Sequence, residues 1–296
     1  MIAQQAEMFA NRVRKNFRKL YGPFERRRIG AFRIYDRDIP EIRAVLDWYE
    51  GHLVIAEYER EQTEPGFLEA MAAAAAQALD VPSNRVHLKK RRTGAARYER
   101  LARTRKRIEV REGDLRFLVN LDDYIDTGLF PDHRETRALV RAEAQGAALL
   151  NLFGYTGSFS CAAALGGARA TTTVDTSQAY LDWARDNQRL NGFAGELVCA
   201  EVDDFLSRAG ARRWTLCVLD PPSFSDRGNF DVQRDHRELI DRTLAVLEPA
   251  GVLWFSANHQ RFEPRLEGLR CEELTAKTVP VDYRNRAVHR SFRIVK

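Results

Sequence analysis

The alternation of short apolar runs with amphipathic segments, which begins near residue 147, constrains the fold more than any other feature of this chain. The apolar runs are short and bounded by polar residues: ALLNLF, TTTVD, LVCAE, TLCVLD and VLWFSA. Strands that are buried on both faces have this composition, and the segments between them have helical spacing. Further strands are expected near ELTAKTV and SFRIVK. The pattern therefore predicts an α/β fold with a seven-stranded, mostly parallel, doubly wound sheet.

The residues before this region follow a different pattern. Residues 7–20 place apolar side chains at helical spacing among basic ones, which predicts an amphipathic helix that ends at Gly22-Pro23. Residues 31–60 alternate as a hairpin or meander, residues 66–79 predict a helix, and RIEV with LRFLVNL predicts another hairpin. The expected organisation has three parts: a basic N-terminal helix (1–22), a small α+β domain (23–122) and the larger α/β domain (123–296).

The positive charge of the chain is concentrated in its first part. Residues 1–118 contain 25 Lys and Arg against 17 Asp and Glu, a net charge of +8. The remaining residues carry 22 against 25, a net charge of −3. This asymmetry indicates either an anionic partner, with RNA or DNA first, or a solvated basic surface.

In a doubly wound fold, ligands bind outside the carboxyl ends of the strands, so the residues that end each strand are candidates for the site. The first strand runs into residues 151–157 (NLFGYTG), whose glycines allow a sharp turn and a close approach to a ligand. Asp175 ends the second strand, where it could accept from ribose hydroxyls or cap the next helix. Glu201 follows the third strand and could accept from an adenine amino group, as could Asp203 or Asp204.

The fourth strand ends in the sequence Asp220-Pro221-Pro222-Ser223-Phe224, the most informative five residues of the chain. Consecutive prolines cannot continue a ladder and hold a rigid extended loop. Such a loop presents the Asp220 carboxylate to the pocket and leaves Phe224 available to stack on a planar base. The glycines of the first turn do not have GxGxxG spacing, which argues against a nicotinamide-dependent oxidoreductase.

The set NLFGYTG, VDTS and DPPSF resembles class I S-adenosylmethionine-dependent methyltransferases that act on nucleobases, whose fold is Rossmann-like. Across nearly the whole chain the sequence is more similar to the bacterial 23S rRNA guanine-N7 methyltransferase family. Members of that family often form the C-terminal half of a bifunctional protein whose other half methylates a guanine exocyclic amine. The longer motifs that carry this resemblance are MFANRVRKNFRKL, RIYDRDIPE, VNLDDYIDTGLFPDHR, GGARATTTVD, FDVQRDH and DYRNR.

The resemblance implies S-adenosylmethionine as cofactor and assigns roles to residues. Asp220 would face the transferred methyl group, Asp175 would hold the ribose, and Glu201, where the family usually has Asp, would lie near the adenine. The implied catalytic residues are Asp220, Pro221, Pro222 and Phe224. The implied cofactor residues are Phe130, Asp132, Arg134, Asn151, Phe153, Tyr155, Thr156, Gly157, Asp175, Ser177, Glu201 and Asp220. The implied RNA contacts are Arg12, Arg14, Lys15, Arg18, Lys19, Lys89, Lys90, Arg91 and Arg92, whereas Phe9 and Phe17 are expected to pack in the core.

The residues at the strand ends bear differently on three acceptor chemistries. Guanine N7 has a free lone pair, so direct in-line transfer to a flipped-out guanine needs no prior deprotonation. An exocyclic amine, guanine N2 or adenine N6, would need its lone pair localised by hydrogen bonds from the Asp-Pro-Pro loop. Carbon 5 of cytosine would need a thiolate nucleophile, and residues 255–259 (FSANH) contain no Cys where related enzymes place one. The residue types at positions 220–224 permit either purine chemistry, and the resemblance to the guanine-N7 family implies 7-methylguanosine as the product.

The remaining expectations concern partners and location. The expected partner is 23S rRNA or a large-subunit assembly intermediate, with a guanine-N2 methyltransferase fused to this chain or working with it. A non-catalytic RNA-binding assembly protein with the same fold is the alternative. The histidines His133, His236 and His289 lack metal-ligand spacing, so no metal is expected. No apolar run is long enough for a membrane span, and we expect a cytoplasmic protein.

Overall fold

The computed structural model describes residues 1–58, 64–91, 101–224, 230–259 and 261–296. The chain divides into two compact units. The first unit comprises Met1–Pro131 and Val281–Asn285, and the second comprises Asp132–Pro280 and Arg286–Lys296. The boundary expected at residues 122–123 thus lies nine residues before the change of unit at Pro131, and a short later segment belongs to the first unit.

The first unit begins with helix α1 (Ile2–Arg26), whose apolar face packs into a core. This helix is longer than predicted, because it starts at residue 2 and continues through Gly22-Pro23. Pro23 lies in the last turn, so its missing N–H removes one hydrogen bond near an end that is already incomplete. Phe24 in that turn is 2% exposed. Its burial contributes about 1.5–3 kcal/mol, which offsets much of the cost of a proline in the final turn.

A four-stranded sheet faces this helix in the order β1-β2-β3-β4. Its strands are β1 (Ala31–Asp36), β2 (Ala44–Tyr49), β3 (His52–Tyr58) and β4 (Val86–Arg91). The first three pair antiparallel, as predicted, and β4 pairs parallel to β3 after helix α2 (Phe67–Leu79). The β4 strand was not predicted, because its basic residues hide the alternation of burial. The expected hairpin is formed by β5 (Ile108–Glu112) and β6 (Leu115–Val119).

The second unit contains a seven-stranded sheet in the order β12-β13-β11-β10-β7-β8-β9, which confirms the predicted fold class. The pairs among β9, β8, β7, β10 and β11 are parallel, and β13 is antiparallel to β11 and to β12. The strands are β7 (Ala148–Leu152), β8 (Ala170–Asp175), β9 (Glu196–Cys199), β10 (Trp214–Leu219), β11 (Leu247–Ala257), β12 (Arg270–Glu273) and β13 (Arg290–Val295). The helices are α3 (Arg134–Ala142), α4 (Ser158–Leu165), α5 (Gln178–Leu190), α6 (Val202–Arg208), α7 (Val232–Ala245) and α8 (Thr275–Thr278).

One strand lies elsewhere than predicted. The segment ELTAKTV was expected to be a strand, but β12 ends at Glu273 and helix α8 follows. Leu274 and Thr278 are both buried, and residues four apart share one face of a helix. The apolar spacing in this short segment was therefore satisfied by one helical turn.

The parallel strands place the ends of β7, β8, β9 and β10 along one edge of the sheet, where ligands bind in folds of this class. In the part of the chain that the structure describes, no helix is long and apolar enough to cross a membrane.

Candidate functional site

The loop between β7 and α4 holds a backbone conformation that side chains rarely adopt. Phe153 and Tyr155 have φ angles of 54° and 49°, and Gly157 has a φ of 75°. Left-handed backbone at a non-glycine residue costs of order 1–3 kcal/mol, so other bonds must stabilise it. The Gly154 N–H donates to the Val174 carbonyl at 2.9 Å, and the Tyr155 N–H donates to Oδ2 of Asp175 at 2.9 Å. The loop is therefore tied to the end of β8.

Residues beneath the loop explain why Gly154 lies at its centre. An added Cβ at Gly154 would lie 2.3 Å from Cγ2 of Thr173, so only glycine allows this approach to β8. The Asn151 amide donates to Oγ of Ser160 at 3.0 Å, and the Ser160 and Thr173 hydroxyls are 2.7 Å apart. Asn151 is buried in this network. Its side chain therefore supports the loop from below.

Thr156 has a similar supporting position. Its side chain is buried, and its carbonyl accepts a hydrogen bond from the Asn187 amide of α5 at 2.9 Å. Phe153 and Tyr155, which flank Gly154 in the loop, are only half-buried. The Phe153 ring lies 6.2 Å from Phe230, and the Tyr155 ring meets Tyr180 edge-on at 4.6 Å. The partly open side of the loop is therefore aromatic.

Asp175 accepts backbone hydrogen bonds but does not cap the next helix. Its Oδ1 accepts from the Ser177 N–H at 2.9 Å, while the cap of α5 is Ser177, whose Oγ accepts from Tyr180. Burial raises the pKa of Asp175, and bonds from the N–H groups of Ser177, Tyr155 and Thr176 oppose that rise. A carboxylate has about four lone-pair sites. Three N–H donors therefore leave Asp175 room for about one further donor, such as a ribose hydroxyl.

The acidic residues that follow β9 have different surroundings. Glu201 precedes α6, is exposed, and makes no capping hydrogen bond through its side chain. Its charge contributes to the raised pKa of Asp175, so the two carboxylates lie in one electrostatic environment. Asp203 instead forms an ion pair with Arg242 of α7 at 2.6 Å. Asp203 is thus engaged by a neighbouring helix, and the role of Glu201 near an adenine stays a prediction.

Asp220 ends β10 and is held by two groups of the second unit. The Ser256 hydroxyl donates to Oδ1 of Asp220 at 2.5 Å, and Nε2 of His133 lies 3.6 Å from Oδ2. Ser256 and His133 are buried, whereas Asp220 is partly exposed. The carboxylate is therefore oriented from behind and keeps an open side.

The loop after Asp220 is also fastened at its far end. The Ser223 hydroxyl donates to Oδ1 of Asn258 at 2.5 Å, and the Ser223 carbonyl accepts from the Val232 N–H at 3.0 Å. Phe224 forms an isolated bridge with Asp231 and keeps 52% of its surface exposed. Pro221 and Pro222 restrict the segment between these anchors. The loop thus holds an exposed aromatic ring and a carboxylate at fixed separation.

Behind Asp220 lies a histidine pair that the sequence did not predict. The rings of His133 and His289 stack at 4.3 Å with an angle of 12°. Nδ1 of His289 lies 3.4 Å from Asp132, and its Nε2 lies 3.1 Å from Oγ1 of Thr278. Burial lowers the pKa of His133; Asp220 opposes this effect and His289 reinforces it. More than 150 residues separate the two histidines, so no local spacing signals the pair.

The same residues do not have the geometry of a metal centre. Ligand atoms of Asp132, His133 and His289 lie within 4.8 Å of one another. However, the lone pair of an imidazole nitrogen lies in the plane of its ring, and two nearly parallel stacked rings cannot direct both lone pairs at one ion. The arrangement fits a stacked imidazole pair that supports Asp220.

Two other predicted cofactor residues have different surroundings. Phe130 belongs to the first unit, and its side chain is 40% exposed. Arg134 begins α3 in the second unit and is buried, with Nε 3.5 Å from Glu135. Their assignment to the cofactor stays a prediction.

The basic residues of α1 lie on the side of the helix that faces away from the core. Lys15, Arg18 and Lys19 are exposed, while Arg12 lies 3.8 Å from Asp38 and Arg14 donates to Asn11 at 3.0 Å. The two aromatic residues on the opposite face, Phe9 and Phe17, pack against the first sheet as expected.

One predicted RNA contact in β4 is corrected. Lys89 is 1% exposed, and its ammonium group donates to the carbonyl of Tyr124, so it cannot reach an RNA phosphate. Lys90 is exposed and lies 3.7 Å from Glu69. For Arg91 the structure describes the backbone only, and Arg92 lies outside the described residues.

Comparison with known proteins identifies the family. A family model described as S-adenosylmethionine-dependent methyltransferase matches residues 29–286. Relatives named Ribosomal RNA large subunit methyltransferase K/L include one from Pseudomonas putida strain W619, which is 43% identical over 99% of this chain and 42% of its own length. Another, from Allochromatium vinosum, is 44% identical over 96% of this chain and 42% of its own length. The chain thus spans about two fifths of the curated relatives that it matches.

Two solved structures share the fold. A methyltransferase crystallised with SAH superposes with a TM-score of 0.78 at 21% identity, over 98% of this chain and 82% of that chain. A SAM-dependent methyltransferase from Streptococcus mutans has the same TM-score and identity, over 98% and 81% of the two chains.

The residues at the strand ends are suited to S-adenosylmethionine. Asp175 keeps acceptor capacity for a ribose hydroxyl, Glu201 is an exposed acceptor in the same electrostatic environment, and Asp220 is held with an open side. A sulfonium ion is cationic, and these three carboxylates make this edge of the sheet electronegative. The chain belongs to the S-adenosylmethionine-dependent methyltransferase family.

Proposed function

We propose that this chain transfers a methyl group to N7 of a guanine in 23S ribosomal RNA. The observation that carries the proposal is the anchored carboxylate of Asp220, which accepts from Ser256 and lies 3.6 Å from His133. S-adenosylmethionine, when bound, supplies a methyl group on a sulfonium that is attacked in line. The printed names of the relatives, large-subunit rRNA methyltransferases, support the RNA class.

The charge of Asp220 suits an N7 acceptor. A guanine methylated at N7 becomes a cation, so positive charge moves onto the base as the new bond forms. A fixed carboxylate on the base side stabilises that charge, and it needs no reorganisation because Ser256 already orients it. No residue has to remove a proton, since the N7 lone pair is free before attack.

The loop that follows Asp220 is suited to hold the base. Phe224 is exposed and lies on a segment restrained by Pro221 and Pro222, and an aromatic face stacks on any planar base. Base stacking of this kind contributes about 1–3 kcal/mol. We propose that Phe224 holds the flipped-out guanine while Asp220 faces the methyl group.

Cytosine C5 methylation is disfavoured by the lack of a Cys at residues 255–259 and by the burial of two thiols. Burial raises the pKa of Cys161 to about 12 and raises that of Cys217 well above its ordinary value. Thiols in this state supply almost no thiolate near neutral pH, and the thiolate is the nucleophile that such a reaction requires.

A second candidate is methylation of an exocyclic amine, and one observation favours it. His133 is buried beside Asp220, and burial lowers its pKa, so near neutral pH its ring is uncharged and able to accept a proton. An amine acceptor must lose a proton, which Asp220 could pass to His133. The product distinguishes the two candidates, because N7 transfer yields 7-methylguanosine and amine transfer yields an N2- or N6-methylated purine.

The test of Asp220 uses two isosteric variants. Asp220→Asn removes the charge but keeps the shape of the side chain, and Asp241→Asn is the matched control, an exposed residue of α7 paired with Arg237. With methyl-labelled S-adenosylmethionine and protein-free 23S rRNA, we expect Asp220→Asn to lose about 100-fold or more in the single-turnover rate. The control should keep the wild-type rate. Wild-type transfer by Asp220→Asn would refute the electrostatic role.

Calorimetry distinguishes the enzyme from a non-catalytic RNA-binding protein of the same fold. Wild-type protein should bind S-adenosylhomocysteine with one site per chain, and absence of binding would support the non-catalytic alternative. A guanine-N2 methyltransferase joined to this chain or working with it, a large-subunit assembly intermediate as substrate, and a cytoplasmic location stay predictions.

A further inference from the structure

The first unit contains a basic surface cavity that the methyl-transfer site does not use. Its volume is about 420 Å³. It is lined by Asp36, Arg37, Pro40, Arg43, Arg284 and Asn285. All of these residues belong to the first unit, although two of them come from the short segment Val281–Asn285.

The segment Val281–Asn285 is fastened to the free edge of β1. Oδ2 of Asp282 accepts from the backbone N–H of Arg33 at 2.9 Å, and the Arg33 guanidinium lies 4.4 Å from the centre of the Tyr283 ring. Nη1 of Arg284 then donates to the Arg37 carbonyl at 2.8 Å. Covering an edge strand in this way satisfies groups that would otherwise be open to another chain. It also places the Arg284 guanidinium at the cavity.

The opposite side of the cavity is formed by the connection between β1 and β2. Arg37 directly follows β1 and has a φ of 53°, a left-handed conformation that costs of order 1–3 kcal/mol in a residue with a side chain. Its N–H donates to the Ala44 carbonyl at 3.2 Å, and its carbonyl accepts from Arg284. The connection is thus held at both ends, so Arg37 and Arg43 line a preformed cavity.

The charge of the lining residues is unbalanced. Three guanidinium groups line the cavity with one carboxylate, and that carboxylate, on Asp36, is already 3.4 Å from Arg37 and 3.8 Å from Arg33. An anion therefore fits better than a cation or a neutral ligand. Planar guanidinium groups present paired N–H donors that match the oxygens of a phosphate.

We propose that this cavity binds a backbone phosphate of the substrate RNA. The proposal rests on the RNA substrate proposed above. In it, Arg37, Arg43 and Arg284 of the first unit contact the phosphate. Its chemistry is that of a phosphate group, which free inorganic phosphate shares. The segment Val281–Asn285 thereby acquires a role apart from methyl transfer.

The experiment measures how the affinity for RNA depends on salt, with the full chain. The variants are Arg43→Gln, Arg284→Gln and the double variant. The control is Arg26→Gln, an exposed arginine in the last turn of α1 that does not line the cavity. Filter binding of protein-free 23S rRNA over a range of salt concentrations gives the slope of log K against log salt. Each lost phosphate contact lowers the magnitude of that slope by about 0.7–0.9.

We expect the double variant to lower the slope by about this amount, Arg43→Gln alone to lower it in part, and Arg26→Gln to leave it unchanged. Arg43→Gln keeps the Arg284–Arg37 hydrogen bond, so its effect does not depend on the fastening of the segment. An unchanged slope in the double variant would overturn the proposal. If the slope stays unchanged while inorganic phosphate, titrated alone, binds the wild type and not the variants, the cavity binds free phosphate and not the RNA backbone. That result would also overturn the proposal.

The outcome is separable from that of the proposed function. Calorimetric affinity for S-adenosylhomocysteine should be the same in the wild type and all four variants. If the wild type yields no 7-methylguanosine but the double variant still has the smaller slope, the proposed target base is refuted and the proposed phosphate site is supported.

Discussion

Gly154→Ala tests the close approach of the cofactor loop to β8. The new Cβ would lie 2.3 Å from Cγ2 of Thr173, whereas carbon atoms in contact are about 3.5–4.0 Å apart. The same Cβ would lie 3.2 Å from the Asn151 carbonyl oxygen, so the loop cannot simply rotate towards β7. We expect the free energy of unfolding to fall by about 1–3 kcal/mol, the usual effect of overpacking a dense region.

The displacement should also weaken cofactor binding. Tyr155, the next residue, donates its N–H to Asp175, and an outward shift of the loop lengthens that bond. A displaced loop leaves the ribose acceptor less well oriented, and we expect the Kd for S-adenosylhomocysteine to rise roughly 10-fold, or about 1.4 kcal/mol. Urea unfolding and calorimetry measure the two effects. Gly22→Ala is the control, because its nearest neighbour is the end of the Arg26 side chain at 3.6 Å.

A second substitution identifies the cause. Thr173→Ser removes Cγ2 but keeps the hydroxyl that lies 2.7 Å from Ser160. Alone it should destabilise by about 1 kcal/mol through a lost methyl group, but combined with Gly154→Ala it should relieve the collision. The double variant should therefore be more stable than the sum of the single effects by at least about 1 kcal/mol. Strictly additive free energies would show that Thr173 is not the obstacle and would refute this account of the loop.

Three further predictions concern charged or polar groups. Burial lowers the pKa of His133 below its value in the unfolded chain. The free energy of unfolding should therefore be constant above about pH 6.5 and fall below it, because the unfolded chain takes up the proton. The unfolding midpoint of His133→Asn should depend less on pH in that range, and an equal dependence would contradict this reasoning. Burial alone would raise the pKa of Asp123, but hydrogen bonds from Arg105, Thr104 and Asn120 hold that pKa well below its usual range. Asp123→Ala should therefore lower the free energy of unfolding in urea by about 2–4 kcal/mol. A loss under about 0.5 kcal/mol would refute this reasoning. Ser256→Ala should slow methyl transfer about 5-fold to 15-fold, because Asp220 loses the hydrogen bond that orients it. The Kd for S-adenosylhomocysteine should stay unchanged. A change confined to that Kd would instead place Ser256 in cofactor binding.

Much of the second unit could be predicted from sequence because its signals are local. Buried parallel strands are short continuous apolar runs, and each run ends at a residue that the fold brings to the same edge. The positions of Asp175 and Asp220 at this edge were predicted in this way, and their roles stay predictions. The loop at residues 151–157 was also recognised, although the supporting positions of Asn151 and Thr156 depend on partners in other elements.

Features that depend on distant partners were missed. His133 and His289 stack although they are far apart in sequence, so no local spacing predicts their contact. Lys89 resembles its basic neighbours in sequence, but in β4 it lies on the buried face, where the Tyr124 carbonyl compensates its charge. The segment Val281–Asn285 lies in sequence among residues of the second unit, and yet it belongs to the first unit. In each case tertiary contacts decided what the local pattern left open.

Identification of the methylated nucleoside tests the proposed reaction most directly. Protein-free 23S rRNA is incubated with the wild-type chain and isotopically labelled S-adenosylmethionine, digested to nucleosides and resolved by mass spectrometry against authentic standards. Transfer to N7, assisted by the Asp220 carboxylate, predicts that the label appears in 7-methylguanosine. At the same early time point, the label in that nucleoside should be about 100-fold lower when Asp220→Asn replaces the wild type. Label in N2-methylguanosine or N6-methyladenosine would contradict the N7 assignment and favour the proton-accepting role of His133.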